Sequence, residues 1–246
     1  RRCAVAVMTV LEAARDAMRE ELARDERVFV MGEDIAARGG VFLATDGFVE
    51  EFGEERVIDT PLAESAIAGI ALGAAMHGMR PIAEIEFADF IWPSINQLIG
   101  EAARARYGSR GALSVPMVVR APYGGGIRGG LYHSQSVEAY FAHTPGLKVV
   151  TPATPYDAKG LLIASIEDDN PVVYIDDRWL YTQTGEVPEE IYSVPIGKGE
   201  VRRNGKDLTI VATSYMAVEA QEAAALLEEE GIDAEVIDLR SLKPWD

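Results

Sequence analysis

In TPLAESAIAGIALGAAMHGMRPIAEIEFADF, residues 60–90, a helical pattern passes directly into the pattern of a buried strand. The first half, residues 62–77, is built of Leu, Ala, Ile and Gly, and Thr60-Pro61 reads as a helix opening because proline suits the first helical turn. The second half becomes a compact apolar run, residues 81–87, of the length of a buried strand. The same alternation repeats outward. Apolar runs at 28–31, 116–120, 147–150 and 171–175 are separated by helix-like segments at 94–107, 137–143 and 156–167. Strands that are almost wholly apolar, alternating with helices, indicate an α/β fold with a mainly parallel sheet covered on both faces. Its connections are expected to be right-handed. Upstream, Thr9 and Glu12 fit a capping box opening a helix to about Asp25, with Val10, Leu11, Ala14, Met18 and Leu22 as its buried stripe.

The alternation lapses from Asp176 to about Lys198, where prolines and charges suggest a linker. DLTIVATS, YMAVEAQEAAALLEEEG and IDAEVIDLR then read as strand, helix and strand, a unit that buries too little surface to stand alone. The expected division is therefore residues 1–190 as one domain and 191–246 as a linker plus the start of a second, smaller α/β domain. The sequence stops inside that second domain, as a truncated form would.

Forty acidic against 23 basic residues give a net charge of −17, which repels phosphate backbones, and no basic patch offsets it. Nucleic acid is thus not an expected partner. No apolar run approaches the ~20 residues needed to cross a bilayer, so no membrane partner is expected either. Glu12, Arg15 and Asp16 interrupt the apolar start too early for a signal peptide. The expected location is cytoplasmic, with an organelle matrix as the alternative. A lone cysteine, Cys3, rules out an internal disulfide framework or a Cys-rich zinc site.

Two segments carry candidate chemistry. Glu64 falls in the first turns of the 62–77 helix, where the helix dipole alone could account for a carboxylate. Its neighbours Leu62, Ala63, Ala66 and Ile67 also suit a partly buried site, where apolar surroundings raise a carboxyl pKa. Gly69, Gly73 and Gly78 open a face to close backbone approach, by the sheet or by another subunit. Phe87 and Phe90 bracket a turn after a strand and are either core or a stacking surface for a flat heterocycle. The second segment is RAPYGGGIRGGLYHSQSVEAYFAHTPGLKVV, residues 120–150. Five glycines crowd residues 124–130 after a strand, and Tyr132-His133-Ser134 follows. The glycine spacing fits neither a dinucleotide fingerprint nor a P-loop, and no nucleophile elbow supports Ser134. His133 is placed at the carboxyl edge of the sheet, where ligands usually bind.

Together these segments, with TPATPYDAKGLL, DDNPVVY, IGKGEVRRNGKDLTIVATS and DLRSLKPWD, resemble the β-subunits of the thiamine diphosphate-dependent decarboxylase of 2-oxo acid dehydrogenase complexes. The similarity runs through essentially the whole chain and is nearest to the branched-chain and pyruvate types. It implies a transketolase-like pyrimidine-binding domain followed by a C-terminal domain. It also implies assembly with an α-subunit and a second β-subunit into a heterotetramer that serves a lipoyl acyltransferase core. Mg²⁺ and the cofactor diphosphate are then held by the α-subunit; the chain has no GDG…NN motif, and GEDIAARGG at Gly32 is not one.

By the same resemblance, Glu64 hydrogen-bonds the pyrimidine ring of thiamine diphosphate and is the catalytic acid that activates it. Leu62 and Phe90 line that ring, Glu86 occupies a pocket position where the residue type varies, and His133 serves acyl transfer to the lipoyl group. Tyr132 shapes the entrance. A potassium site is implied at Met117, Ser165, Ile166, Asp168 and Asn170; a polar turn after a helix is the alternative. An acetoin-cleaving enzyme of the same architecture, or a non-catalytic module of the same fold, are the competing readings of function.

Overall fold

A computed structural model of the chain describes residues 4–246; Cys3 lies outside the described residues. The chain opens with β1 (Val5–Thr9) and α1 (Val10–Arg24). The capping box is formed: Thr9 Oγ1 accepts from Glu12 N at 3.1 Å, and the Glu12 carboxylate accepts from Thr9 N at 2.8 Å. There follow β2 (Val28–Gly32), α2 (Phe48–Phe52), β3 (Val57–Asp59), α3 (Glu64–Met76) and β4 (Arg80–Glu84). Next come α4 (Ala103–Gly108), β5 (Val118–Arg120), α5 (Glu138–Ala142), β6 (Lys148–Val150), α6 (Pro155–Glu167) and β7 (Val172–Tyr174). The chain continues through β8 (Thr184–Pro188), β9 (Glu200–Arg203), β10 (Leu208–Ala212), α7 (Tyr215–Glu229), β11 (Ala234–Asp238) and β12 (Ser241–Lys243).

The main sheet has the order β12-β6-β7-β5-β4-β2-β3, all parallel except the edge strand β12. Every residue of β2, β5 and β7 is buried, as expected of parallel strands covered on both faces. One face packs Ile67, Ala68, Ala71, Leu72 and Ala75 of α3 against Phe29, Met31 and Ala83. The other packs Ala14, Ala17, Met18 and Leu22 of α1, with Leu161, Leu162 and Ile166 of α6, against Val28, Val30 and Ile82.

The structure moves several boundaries. The helix expected from residue 62 begins at Glu64, because Thr60 N still donates to Gly32 O at 2.9 Å and prolongs the parallel ladder past β3. The segment at 94–107 is not one regular helix: a 3₁₀ turn at Trp92–Ser94 leads into a π-helical stretch at Asn96–Ala102 and then α4. The expected linker contains β8, which pairs antiparallel with β1, and Val194 N donates to Gly160 O at 2.9 Å. Neither strand of that pair shows a clean apolar alternation, and Val7 of β1 remains exposed.

Beyond residue 196, β10, β11 and β9 form a small mixed sheet covered by α7 through Ala220, Ala224, Ala234 and Val236. Asp157, at the capped start of α6, ties this unit to the main sheet: its buried carboxylate meets Arg202 and Arg240, the latter at 2.9 Å. Among the described residues no helix is long and apolar enough to cross a membrane.

Candidate active site

Five neighbouring strands, β7-β5-β4-β2-β3, run parallel and end on one edge of the sheet. Such a carboxyl edge is where open α/β sheets bind ligands. Glu33 and Asp34 follow the end of β2, Glu64 follows β3, and Glu86, Phe87 and Phe90 follow β4. The glycine loop and His133 follow β5, and Asp176 to Arg178 follow β7. Residues scattered over 145 positions, from Glu33 to Arg178, are thereby gathered at one place.

Beneath this edge lies a buried ionic layer. Arg120 Nη1 donates to Glu84 Oε2 at 2.6 Å, and Nη2 donates to Asp176 Oδ2 at 2.6 Å and to Tyr181 Oη at 2.8 Å. It fixes the ends of β4 and β5 and the turn after β7 relative to one another.

Glu64 is half-buried at the first residue of α3, and Ser94 Oγ donates to its carbonyl at 2.7 Å. Its setting is more acidic than apolar. Burial pushes the Glu33 carboxyl from the ordinary 4.5 up to about 7, with Glu64, Glu86 and Asp34 adding like-charge repulsion. Burial also raises the Glu86 pKa, with Asp34 adding to the rise, while Arg38 and His133 act against it. Leu62 projects from the turn before α3 and is 78% exposed, so in the single chain it forms an uncovered wall.

The imidazole of His133 stands edge-on to Phe87 and Phe90, with ring centroids 4.5 and 5.2 Å apart. Phe90 is thus both core and wall: it packs on the main cluster and keeps part of its ring accessible. His133 has a left-handed backbone, φ 69°, which costs a non-glycine residue about 1–3 kcal/mol and persists only where the surroundings enforce it. Its Nδ1 is buried without a hydrogen-bond partner. The tip of the glycine loop is uncovered; Leu131 is 81% exposed and Tyr132 58%.

Gly69 and Gly73 of α3, and Gly78 just beyond it, do not face the sheet. A Cβ at Gly73 or Gly78 would meet nothing within 4 Å, and one at Gly69 only Gln97 Cγ at 3.6 Å. Ordinary helix–sheet packing, one of the two expectations for them, is therefore ruled out for this face.

Met117, Ser165, Ile166, Asp168 and Asn170 come together where α6 runs into β7, far from Glu64 along the sheet. The oxygens of Ile166, Asp168 and Asn170 already have protein donors. Arg80 Nη1 donates to the carbonyls of Ile166 and Asp168 at 2.9 and 3.2 Å. Asp168 Oδ1 accepts from Asn170 N at 2.8 Å, Lys148 pairs with its other oxygen, and Arg106 donates to Asn170 Oδ1 at 2.8 Å. As arranged they do not form an open cage for potassium. Among the described residues no cluster of three or more His, Cys, Asp or Glu suits a metal ion.

Reading of the sequence passed over Glu33, Asp89, Arg120 and Arg178. Glu33 and Arg120 carried a usable signal: a charge at or directly after a wholly apolar strand marks the carboxyl edge. Asp89, set between aromatics in FADF, and Arg178, beyond the last apolar run, had none.

The family model for the transketolase pyrimidine-binding domain matches residues 6–183, and that for the transketolase C-terminal domain matches residues 197–246. The chain is 57% identical to a 2-oxoisovalerate dehydrogenase subunit beta from Bacillus subtilis strain 168, covering 98% of this chain and 74% of that protein. It is 49% identical to a pyruvate dehydrogenase E1 component subunit beta from Acholeplasma laidlawii, with the same coverage of 98% and 74%. Among solved structures, a split-gene transketolase described as an inactive β4 tetramer aligns with a TM-score of 0.76 at 27% identity, covering 96% of this chain and 73% of that one. The carboxyl-edge site, the family models and these relatives agree: the chain belongs to the β-subunit family of thiamine diphosphate-dependent 2-oxo acid dehydrogenases, in the transketolase fold.

Proposed function

We propose that this β-subunit works with an α-subunit in the oxidative decarboxylation of a branched 2-oxo acid such as 2-oxoisovalerate, passing the acyl group to a lipoyl acceptor. The observation that carries the reading is the meeting of Glu64, Glu33, Glu86, Phe90 and His133 at one sheet edge. The higher identity to the 2-oxoisovalerate enzyme, 57% against 49% for the pyruvate enzyme, favours the branched substrate.

The site suits an aminopyrimidine: a half-buried carboxyl at a helix start, an accessible aromatic ring in Phe90 and an apolar wall in Leu62. When bound, thiamine diphosphate supplies the carbon nucleophile and the electron sink that decarboxylation needs. Glu64 hydrogen-bonds the pyrimidine ring nitrogen and shares a proton with it, general acid–base work that a positioned carboxyl performs. Glu33, with its pKa near 7, carries less than a full negative charge at neutral pH and so repels an anionic 2-oxo acid less. His133 hands a proton on during acyl transfer, a role open to an imidazole because its ring nitrogens both donate and accept hydrogen bonds.

The α-subunit is the proposed holder of Mg²⁺ and of the cofactor diphosphate. The exposed Leu62, Leu131 and Tyr132 are the surface that α would cover. A second β-subunit fits the open Gly69–Gly73 face of α3, and the lipoyl acyltransferase core receives the product. Residues 1–190 form the pyrimidine-binding unit and 191–246 the start of the C-terminal domain, a division supported by family matches that stop at 183 and resume at 197. The cytoplasm is the proposed location. No step is assigned to potassium, since Arg80 and Lys148 already occupy the oxygens around Asp168.

The test is reconstitution with the α-subunit and comparison of 2-oxoisovalerate with pyruvate. A pocket shaped for the branched chain should favour it by about tenfold or more in kcat/KM. Equal use of the two acids, or a preference for pyruvate, would contradict the substrate assignment.

A further inference from the structure

We propose that Asp89 and Arg178 are positioning residues that together hold His133 in its working geometry. The inference rests on the acyl-transfer role given to His133 above, and it concerns how an unfavourable backbone is maintained there.

His133 has φ 69°, a left-handed value that few non-glycine residues adopt. The peptide that follows it is clamped from two directions. Asp89, only 5% exposed, accepts from Ser134 N and from Gln135 N, each at 3.2 Å. From the other direction, Arg178 donates to the carbonyl of His133 itself. The same guanidinium donates to Tyr123 O at 3.1 Å and to Gly124 O, so it joins the start of the glycine loop to its end. No carboxylate hydrogen-bonds to Arg178 among its described contacts. It lies over the ring of Phe87, 5.3 Å from the centroid, and over that of Phe42 at 5.9 Å.

Phe87 is therefore shared. One side of it meets Arg178, and its edge contact with His133 sets the imidazole's place. Asp89 belongs to the 3₁₀ turn Ala88–Phe90, which also carries Phe90, the second ring against His133. A single turn thus supplies both an aromatic wall for the imidazole and the anchor for the backbone beyond it. Charge-assisted hydrogen bonds of this kind are the stronger ones, and losing them would free the loop to carry the imidazole away from Phe87 and Phe90.

The experiment uses the complete enzyme with its α-subunit, in a β chain carrying H77N and H143N so that His133 is the one histidine of that chain. The rate at which diethyl pyrocarbonate modifies His133 reports the clamp directly. Asp89→Ala should raise that rate several-fold, and Asp89→Asn, whose amide oxygen can still accept one N–H, should raise it less. In activity, Asp89→Ala should lower reductive acylation of a lipoyl domain about ten times more than decarboxylation followed with an artificial electron acceptor, since a misplaced group costs most in the step it serves. The double variant D89A/H133A should acylate no more slowly than H133A. An unchanged modification rate in both Asp89 variants, or losses in D89A and H133A that simply multiply, would overturn the positioning role. Normal acylation by H133A would instead remove the role given to His133, and the modification rate would still decide whether the clamp exists. If Asp89→Ala fails to assemble, the isosteric Asp89→Asn carries the same comparison.

Discussion

Glu84 and Arg120 close neighbouring parallel strands on the same rung, and Arg120 Nη1 donates to Glu84 Oε2 at 2.6 Å with both side chains almost wholly out of solvent. Asp176 and Tyr181 complete the arginine's surroundings. Removing one member of a buried ionic group leaves the others uncompensated, and this usually costs about 3–5 kcal/mol. Arg120→Met should therefore lower the urea unfolding free energy by about that amount, even though methionine fills much of the space. A loss below about 1 kcal/mol would show that the layer is less essential than its geometry indicates.

Glu33 makes the stability of the chain depend on pH. Its folded pKa, about 7, lies above the ordinary 4.5, so the folded chain holds this proton more tightly than the unfolded one. The stabilisation from the protonated carboxyl is complete below pH 4.5 and is lost as the pH rises through 7. Thermal unfolding of wild type should show this decline between those values, on top of other titrations, and Glu33→Gln should flatten it. An identical pH slope in the two proteins would contradict the assignment.

The open glycine face of α3 predicts an effect on assembly alone. A Cβ added at Gly73 would have no neighbour within 4 Å, and the backbone there is ordinary helix. Gly73→Leu should leave the isolated chain as stable as wild type or slightly more so, since glycine costs a helix interior about 1 kcal/mol. It should weaken subunit association, measured by sedimentation. Unchanged association would remove this face from the interface.

Much of this arrangement was legible in the residues. The capping box of Thr9 and Glu12, the wholly buried strands and the place of His133 after β5 follow from hydrophobic period and local chemistry, and each formed as read. What escaped reading depends on contacts distant in sequence. β1 and β8 pair across some 180 residues without a clear apolar alternation in either. Asp89 and Arg178 meet the His133 loop from 45 or 46 positions away along the chain, through backbone groups that any sequence would provide. Glu33 owes its displaced titration to burial and to acids on other segments as well as its neighbour Asp34, and the residues beside it in sequence do not foretell that.

Asp157 predicts how the two units hold together. Its carboxylate faces Arg202 and Arg240 from the second unit, with Asp238 bonded to Arg202 at 2.8 Å. Asp157→Ala should leave two partly buried guanidiniums short of a partner. It should cost about 3 kcal/mol or more, and α7 should lose hydrogen-exchange protection before α1 does. Equal protection across both helices would contradict the view that this carboxylate joins the units.

The decarboxylation proposed for this site depends on a single carboxyl at the start of α3. Glu64→Gln keeps the size and the helix but cannot hold the acidic proton. In the reconstituted enzyme, pre-steady-state decarboxylation of 2-oxoisovalerate should fall by about a hundredfold or more, with the heterotetramer intact by sedimentation. Decarboxylation at the wild-type rate in that assembled variant would contradict the account.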